Sequence, residues 1–398
     1  MKKRQKRTTF RKVIEWLHLW LGLVSGFVVF VVCLSAAVWA FRPEIERITL
    51  GHQWVAVQQA PYRSPSLILQ QARAYLKPHA IPITSISGIF YGKNGRSASV
   101  RFKQADASDA TLYLNPYNGE VLHLETVPHA TGKFMLFLRA GHRFLWLPPA
   151  IGSPIVGISC LIFMITLITG IVWWYPPKWN RSTRQKSFKI KWQSGWKRLN
   201  IDLHNVFGFY IFLVAIVLSI TGVYYSFDWF RYTYHRLLTG KVKIGALYPY
   251  EVEVPGSKQI GQPVTSGLED IIWAKVADLH GKCEINIVFP QEASASYALY
   301  INPDNTQEGY YYRMYARYFD QYSGQELFAV KGSHKLFADA GIGEKIFRAN
   351  YELHVGSIGG FGTRVIASFV SLIGASLPIT GFIIWYNRKW GKRSRKRS

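Results

Sequence analysis

The chain has 398 residues, with 48 Lys and Arg against 23 Asp and Glu, and a formal charge of +25. Such a balance usually marks a nucleic-acid binder, but here residues 1–12, 176–200 and 388–398 hold 22 of the 48 basic residues and no acid, leaving 26 basic against 23 acidic elsewhere. Charge confined to short tracts excludes nucleic acid as the partner, and the scattered Cys33, Cys160 and Cys283 exclude both a disulfide framework and a four-cysteine iron–sulfur cluster.

In chain order, four windows contain no Asp, Glu, Lys or Arg: Trp16 to Phe41, Phe144 to Pro177, Leu203 to Phe227 and Val365 to Asn387. Each is longer than the roughly 20 residues needed to cross a hydrocarbon core of about 30 Å. Trp and Tyr gather at the window ends (Trp39, Trp173, Trp174, Tyr224, Tyr225, Trp385), where amphipathic rings favour the interface. The basic tracts flank the windows on alternating ends, so both termini and the loop around Arg181 to Arg198 are expected on the cytoplasmic side. The chain then divides into a tail and first span (1–42), an exterior domain (43–143), a second span (144–177), a basic loop (178–200), a third span (201–228), a second exterior domain (229–363), a fourth span (364–387) and a basic tail (388–398). A cleavable signal peptide is the competing reading of the first window, but the apolar stretch is too long for a signal core.

The halves of this plan repeat one another. Trp16-Leu17-His18-Leu19-Trp20-Leu21-Gly22 matches Asp202-Leu203-His204-Asn205-Val206-Phe207-Gly208, a histidine four residues before a glycine near one end of a span. Ser35-Ala36 and Thr221-Gly222 each follow seventeen residues after those histidines, and His142 and His354 precede Thr169-Gly170 and Thr380-Gly381 by 27 and 26 residues. Outside the spans, the stretch from Tyr113 to Leu122 aligns with that from Tyr318 to Leu327, each reading as a strand, a tight turn with glycine where positive φ is wanted, and a returning strand. Helical patterns (Pro65 to Leu76, Gly267 to Leu279) and alternating strands (Arg96 to Phe102, Ile285 to Phe289, Tyr297 to Ile301) lie upstream. The fold expected is an α+β membrane protein: a four-transmembrane-helix bundle from two tandem repeats, each with an exterior helix and antiparallel-sheet domain. A pseudo-two-fold axis along the membrane normal would relate the halves.

Buried imidazoles on related membrane helices are what a b-type haem needs, one axial ligand on each face. The ligands of one iron must share a depth. His18 and His204 lie at cytoplasmic ends, and His142 and His354 precede inward-running helices on the exterior side, so the expected pairs are His18 with His204 and His142 with His354. His129 and His334 are reserves for the outer pair, while His52, His79, His123, His235 and His280 read as surface or structural. An unbroken helix from His354 to Asn387 would run about 50 Å, which would hold the two irons far apart. The segments Pro148 to Pro154 and Gly356 to Gly362, rich in helix breakers, are where a shorter path would fold back.

The His-x3-Gly helices, the Thr-Gly pairs and the turns around Asn118-Gly119-Glu120 and Ser323-Gly324-Gln325 resemble the PepSY-associated transmembrane helix family over nearly the whole chain. That resemblance implies PepSY-like exterior domains, a bacterial inner-membrane location, two b haems and, as in the family's di-haem reductases, a ferric siderophore as substrate. Ser35-Ala36, where the pattern has Thr-Gly, departs from it. The stretch from Tyr310 to Tyr318 is the candidate acceptor surface, since a period of two would place Tyr311, Arg313, Tyr315 and Arg317 on one face as an aromatic and cationic wall. No Gly-x-Gly-x-x-Gly occurs between a strand and a helix, so the electron donor is expected to be a cytoplasmic flavoprotein or membrane quinol. Two other readings stand beside this one. A haem-free, membrane-anchored PepSY module that binds or regulates a peptide or protease would make the paired histidines incidental. A transporter would need charged or interrupted midplane positions, and the four windows carry no formal charge.

Overall fold

In a computed structural model, the structure describes residues 8–78, 85–176, 178–244, 252–258, 261, 263, 267–304, 311–328 and 336–391. The chain folds as two compact units. The first comprises Met1–Arg42, Phe134–Tyr234 and Leu353–Ser398, and the second Pro43–Lys133 and His235–Glu352. In chain order the helices and strands are α1 (Thr9–Trp39), α2 (Arg42–Thr49), α3 (Pro65–Leu76), β1 (Ser85–Tyr91), β2 (Ala98–Lys103), β3 (Asp109–Leu114), β4 (Val121–Glu125), α4 (Ala130–Phe144), α5 (Pro149–Trp174) and α6 (Arg181–Phe188). They continue with α7 (Trp196–Val223), α8 (Asp228–Thr239), α9 (Leu268–Ala274), β5 (Glu284–Val288), β6 (Ser296–Asn302), β7 (Tyr315–Asp320), β8 (Glu326–Leu327), α10 (Ile342–Arg348), α11 (Asn350–Val355) and α12 (Phe361–Lys389).

The first unit is a helical bundle. Helices α1, α5, α7 and α12 are long and apolar enough to cross a membrane, and each coincides with one uncharged window. Helix α1 packs against α5 and α12, and α7 packs against the same two, so α1 and α7 stand diagonally across the bundle. Small residues allow the close approaches: a Cβ on Gly26 would lie 3.2 Å from Pro378, one on Gly374 would lie 3.2 Å from the Cys33 sulfur, and Ser368 Oγ donates to the Ala37 carbonyl at 2.9 Å. Arg11 closes the end of α5, its guanidinium donating to the Trp173 and Tyr175 carbonyls at 3.3 Å each.

Neither long rod forms. Between α4 and α5 the chain turns at Leu145 and Trp146, both at positive φ (54° and 59°), with the Trp146 N–H reaching back to the Ala140 carbonyl. The break therefore precedes the proline cluster: Pro149 opens α5 and Pro154 lies inside it. Proline at the first helical position loses no hydrogen bond, because that N–H has no intrahelical partner in any case. Between α11 and α12, Gly356 and Gly360 adopt φ of 77° and 76°, conformations that only glycine takes without strain.

The second unit is a single antiparallel sheet of eight strands in the order β4-β3-β2-β1-β5-β6-β7-β8. Two separate exterior sheets were expected. Instead β1 pairs with β5 (Ile89 opposite Ile287, Phe90 opposite Asn286), so the strands from both segments share one ladder. The pairing satisfies backbone groups that two separate sheets would each leave open along an edge. On one face, Ile68, Leu69, Ala72 and Leu76 of α3 and Leu268, Ile272 and Trp273 of α9 bury against alternate strand residues, among them Val100, Leu112, Ile287, Leu299 and Phe319. Polar ties join the two segments as well. The Asp270 carboxylate accepts from the Ser64 and Ser66 hydroxyls and the Ser66 N–H, and Arg96 pairs with Glu284 at 2.9 Å. The two expected turns have the same hydrogen bonds: Gly119 N–H to the Asn115 carbonyl and Gly324 N–H to the Asp320 carbonyl, both 2.9 Å, with positive φ at each glycine.

Glu284 is 2% exposed, so removing the Arg96 cation leaves its carboxylate in an apolar sheet. Arg96→Met is expected to lower the stability of this unit by about 3 kcal/mol, and Arg96→Lys by less. Chemical denaturation followed by near-ultraviolet circular dichroism checks this.

Candidate functional site

Inside the bundle, two histidine pairs face each other at two levels. His18 on α1 and His204 on α7 have ring centroids 6.2 Å apart and planes at 86°. His142 on α4 and His354 on α11 have centroids 5.9 Å apart and planes at 56°.

Each ring is held through Nδ1. The His18 Nδ1 lies 3.0 Å from the Thr166 carbonyl and 3.2 Å from the Thr169 hydroxyl. The His204 Nδ1 lies 2.9 Å from the Thr380 hydroxyl and also bonds the Leu377 carbonyl. The His142 Nδ1 lies 3.0 Å from the Val32 carbonyl and 3.5 Å from the Ser35 hydroxyl, and the His354 Nδ1 lies 3.1 Å from the Leu218 carbonyl and 3.2 Å from the Thr221 hydroxyl. A carbonyl only accepts, so Nδ1 must carry the proton. The hydroxyls agree: Ser35, Thr169, Thr221 and Thr380 each donate within their own helix, to Val31, Ile165, Val217 and Ser376, and so present a lone pair to the ring. Among the described residues every hydrogen bond of the four rings is made by Nδ1, which leaves Nε2 with a lone pair in a neutral imidazole.

The four seats share one local pattern. The carbonyl that accepts belongs to residue i, the hydroxyl to i+3, and residue i+4 is Gly170, Gly222, Gly381 or Ala36. Side chains on a helix lean back over the preceding turn, so a bulky residue at i+4 would cover the carbonyl. A Cβ there would lie 3.1 Å from the His18 ring at Gly170, 3.3 Å from His204 at Gly381 and 2.9 Å from His354 at Gly222. At Gly22, one turn beyond His18, a Cβ would meet nothing within 4 Å, and at Gly208 only a Leu377 methyl at 3.9 Å.

These distances fit a metal held between the rings. Two metal–nitrogen bonds of about 2 Å, with about 1 Å from each nitrogen to its ring centre, separate the centroids by about 6 Å. The donor set would also suit a haem: two neutral imidazoles per level, with Nδ1 tied to protein and small residues beside the rings. Fourteen residues separate His18 from Val32 and His204 from Leu218, or about 21 Å along either helix. The outer pair therefore lies well inside the spans, because the breaks before α5 and α12 turn α4 and α11 back onto them. Trp173 stands edge-on to His18 at 5.3 Å and stacks under the Arg388 guanidinium, giving the inner level a cationic rim.

The expected acceptor strand is shorter in the structure. Of the four wall residues only Tyr315 and Arg317 lie in β7, while Tyr311 to Met314 form a turn and Tyr310 lies outside the described residues. The cause is Glu352, whose carboxylate accepts from the Tyr311 and Tyr312 N–H groups at 2.7 and 3.2 Å and draws that backbone out of the ladder. Burial pushes the Glu352 carboxyl up to about 7 against the pull of those donors. Arg313 is paired with Asp304, and Arg317 with Glu326 at 2.8 Å, so the wall carries little free charge. His235 is buried edge-on to Phe347, and His280 stacks on Trp273 at 3.6 Å, both structural roles. His129 is held by Thr131, and His79 and His334 lie outside the described residues. Burial, with His123 and His129 close by, pushes the His52 imidazole down to about 4.

Four apolar spanning helices joined in one chain to an antiparallel sheet define an α+β membrane protein. The sequence matches the family described as the PepSY-associated TM region over residues 15–388, and the chain belongs to that family. A search of curated proteins gave no match.

Sequence reasoning treated the Thr-Gly pairs only as markers of repetition, and missed that Thr166, Thr169, Leu218, Thr221 and Thr380 are what the histidines lean on. Thr380→Val keeps the shape of the His204 seat and removes its hydroxyl acceptor, leaving the Leu377 carbonyl. It is expected to weaken retention of a metalloporphyrin at His204 by about 10-fold or more, read as the amount kept through detergent dialysis.

Proposed function

We propose that this protein is an electron-transfer protein of the bacterial inner membrane that holds two b haems and reduces a ferric siderophore on the periplasmic side, releasing Fe(II) for uptake. The observation that carries this is the pair of facing histidine couples at 6.2 and 5.9 Å, each ring with its proton fixed at Nδ1. His18 and His204 would hold the inner group, and His142 and His354 the outer. Bound in that way, a bis-imidazole haem supplies one-electron transfer without an open coordination site.

The chain's own residues set the conditions for that chemistry. Thr166, Thr169 and Thr380 keep the proton of the inner rings on Nδ1, and Val32, Ser35, Leu218 and Thr221 do so for the outer. Neutral rings avoid the cost of burying an imidazolium in hydrocarbon. The basic tracts favour cytoplasmic termini and loop, so electrons would enter at the inner level from a cytoplasmic flavoprotein or from quinol. For the chelate, Tyr311, Arg313, Tyr315 and Arg317 offer aromatic faces and guanidinium groups whose charge Asp304 and Glu326 already balance. Reduction loosens hard oxygen ligands, because Fe(II) is softer and less charged than Fe(III).

Absorption spectra of the detergent-purified protein, oxidised and then reduced, test the reading. The wild type is expected to hold two haems per chain. His18→Ala or His204→Ala should remove one and His142→Ala or His354→Ala the other, each with loss of ferric-siderophore reduction. Colourless wild-type protein, or four variants that all retain two haems, would overturn the proposal and favour a haem-free PepSY module.

A further inference from the structure

In the sheet unit, the outermost strand β4 carries His123 and Glu125, two residues apart and so on one face. A short 3-10 helix, Gly51–Gln53, brings His52 to the same place. That helix is fixed to the sheet by backbone and side chain: the Ser97 N–H donates to the Gln53 carbonyl at 2.9 Å, the Val55 N–H to the Gly95 carbonyl at 2.7 Å, and the Gln53 amide to the Tyr113 hydroxyl at 3.1 Å. The rings of His52 and His123 stack with centroids 4.2 Å apart, and Tyr113 closes against His52 at 4.7 Å. Potential ligand atoms of His52, His123 and Glu125 all lie within 4.8 Å of one another.

One atom in this cluster is not accounted for by the fold. Among the described residues the buried His52 Nε2 has no hydrogen-bond partner, and the nearest Glu125 oxygen is 4.0 Å away, too far for one. A buried ring nitrogen without a partner is destabilising, and a group of this kind calls for a physical reason. Packing alone would be served equally well by an apolar ring stacked on His123 and Tyr113.

We propose that His52, His123 and Glu125 form a site for one divalent first-row transition-metal ion, separate from the histidine pairs of the bundle. Two imidazoles and one carboxylate are a donor set that binds zinc or ferrous iron and leaves coordination positions open. Tetrahedral ligands at about 2 Å stand about 3.3 Å apart, so binding an ion requires the three side chains to draw together from separations of up to 4.8 Å. His129 is not one of the ligands: its Nδ1 accepts from the Thr131 N–H at 3.2 Å, which places its proton on Nε2. With only three protein ligands, two on an outer strand and one on the short helix beside it, the site is open to exchange rather than a closed structural centre.

Zinc is the probe, because it is distinguishable from any haem iron. The detergent-solubilised full chain, stripped with chelator and equilibrated against zinc chloride, is analysed for metal content by mass spectrometry and for affinity by calorimetry. The wild type is expected to hold one zinc ion that Glu125→Gln binds at least about 10-fold more weakly and that His123→Ala loses. Zinc should raise the thermal midpoint of the wild type and leave that of Glu125→Gln unchanged. Zinc binding should persist in His18→Ala and His354→Ala, so failure of the haem reading and failure of this one are separable. Equal zinc content in the wild type and in folded Glu125→Gln and His123→Ala, or loss of the ion in the bundle variants, would overturn the proposal.

Discussion

The hydrogen bond from a histidine Nδ1–H to a carbonyl on a neighbouring helix is the interaction on which the geometry of the bundle's four paired histidines rests. Helix carbonyls are normally shielded by the side chain one turn further on, and in hydrocarbon no water reaches them. At Thr166, Leu218 and Leu377 a glycine at i+4 removes that shield, and a hydroxyl at i+3 supplies a second acceptor. Fixing the proton on one ring nitrogen leaves the other with a free lone pair, so a choice of tautomer in each imidazole follows from the placement of one small residue on a different helix.

The same contacts hold the helices together. The His18 ring ties α1 to α5, and the His204 ring ties α7 to α12, while the outer histidines seat α4 on α1 and α11 on α7. Packing and site geometry are therefore not independent, and a substitution that loosens a helix interface also turns a ring. Ala36 marks the one seat that departs from the pattern. A methyl replaces hydrogen there, the hydroxyl contact lengthens to 3.5 Å, and the outer rings meet at 56° rather than 86°.

Much of this was legible in the residues. Windows without charge located the spans, and glycine at positions 119 and 324 located the two matching turns. The His-x3-Gly phrases singled out His18 and His204 among eleven histidines. What was not legible involves contacts between segments. Nothing in the spacing of Thr169-Gly170 says which ring it faces, since that depends on the packing of α1 against α5. The strand expected from Tyr310 begins only at Tyr315 because Glu352, more than thirty residues on, captures the backbone of Tyr311 and Tyr312. The turn at Leu145 and Trp146 carries no glycine, so its positive φ values gave no signal, and the prolines nearby pointed a few residues too far along.

The junction of β1 with β5 has a consequence for how the chain can be divided. A fragment ending before α7 would keep β4-β3-β2-β1 and expose the whole of β1, with Ile89 and Tyr91 beside an unfilled ladder. A bare apolar border of that kind recruits another strand. Because β1 and β5 run antiparallel, a second copy of the same fragment presents β1 in the required direction. Half-length chains would therefore be expected to associate about a two-fold axis, through the seam that the intact polypeptide closes within itself.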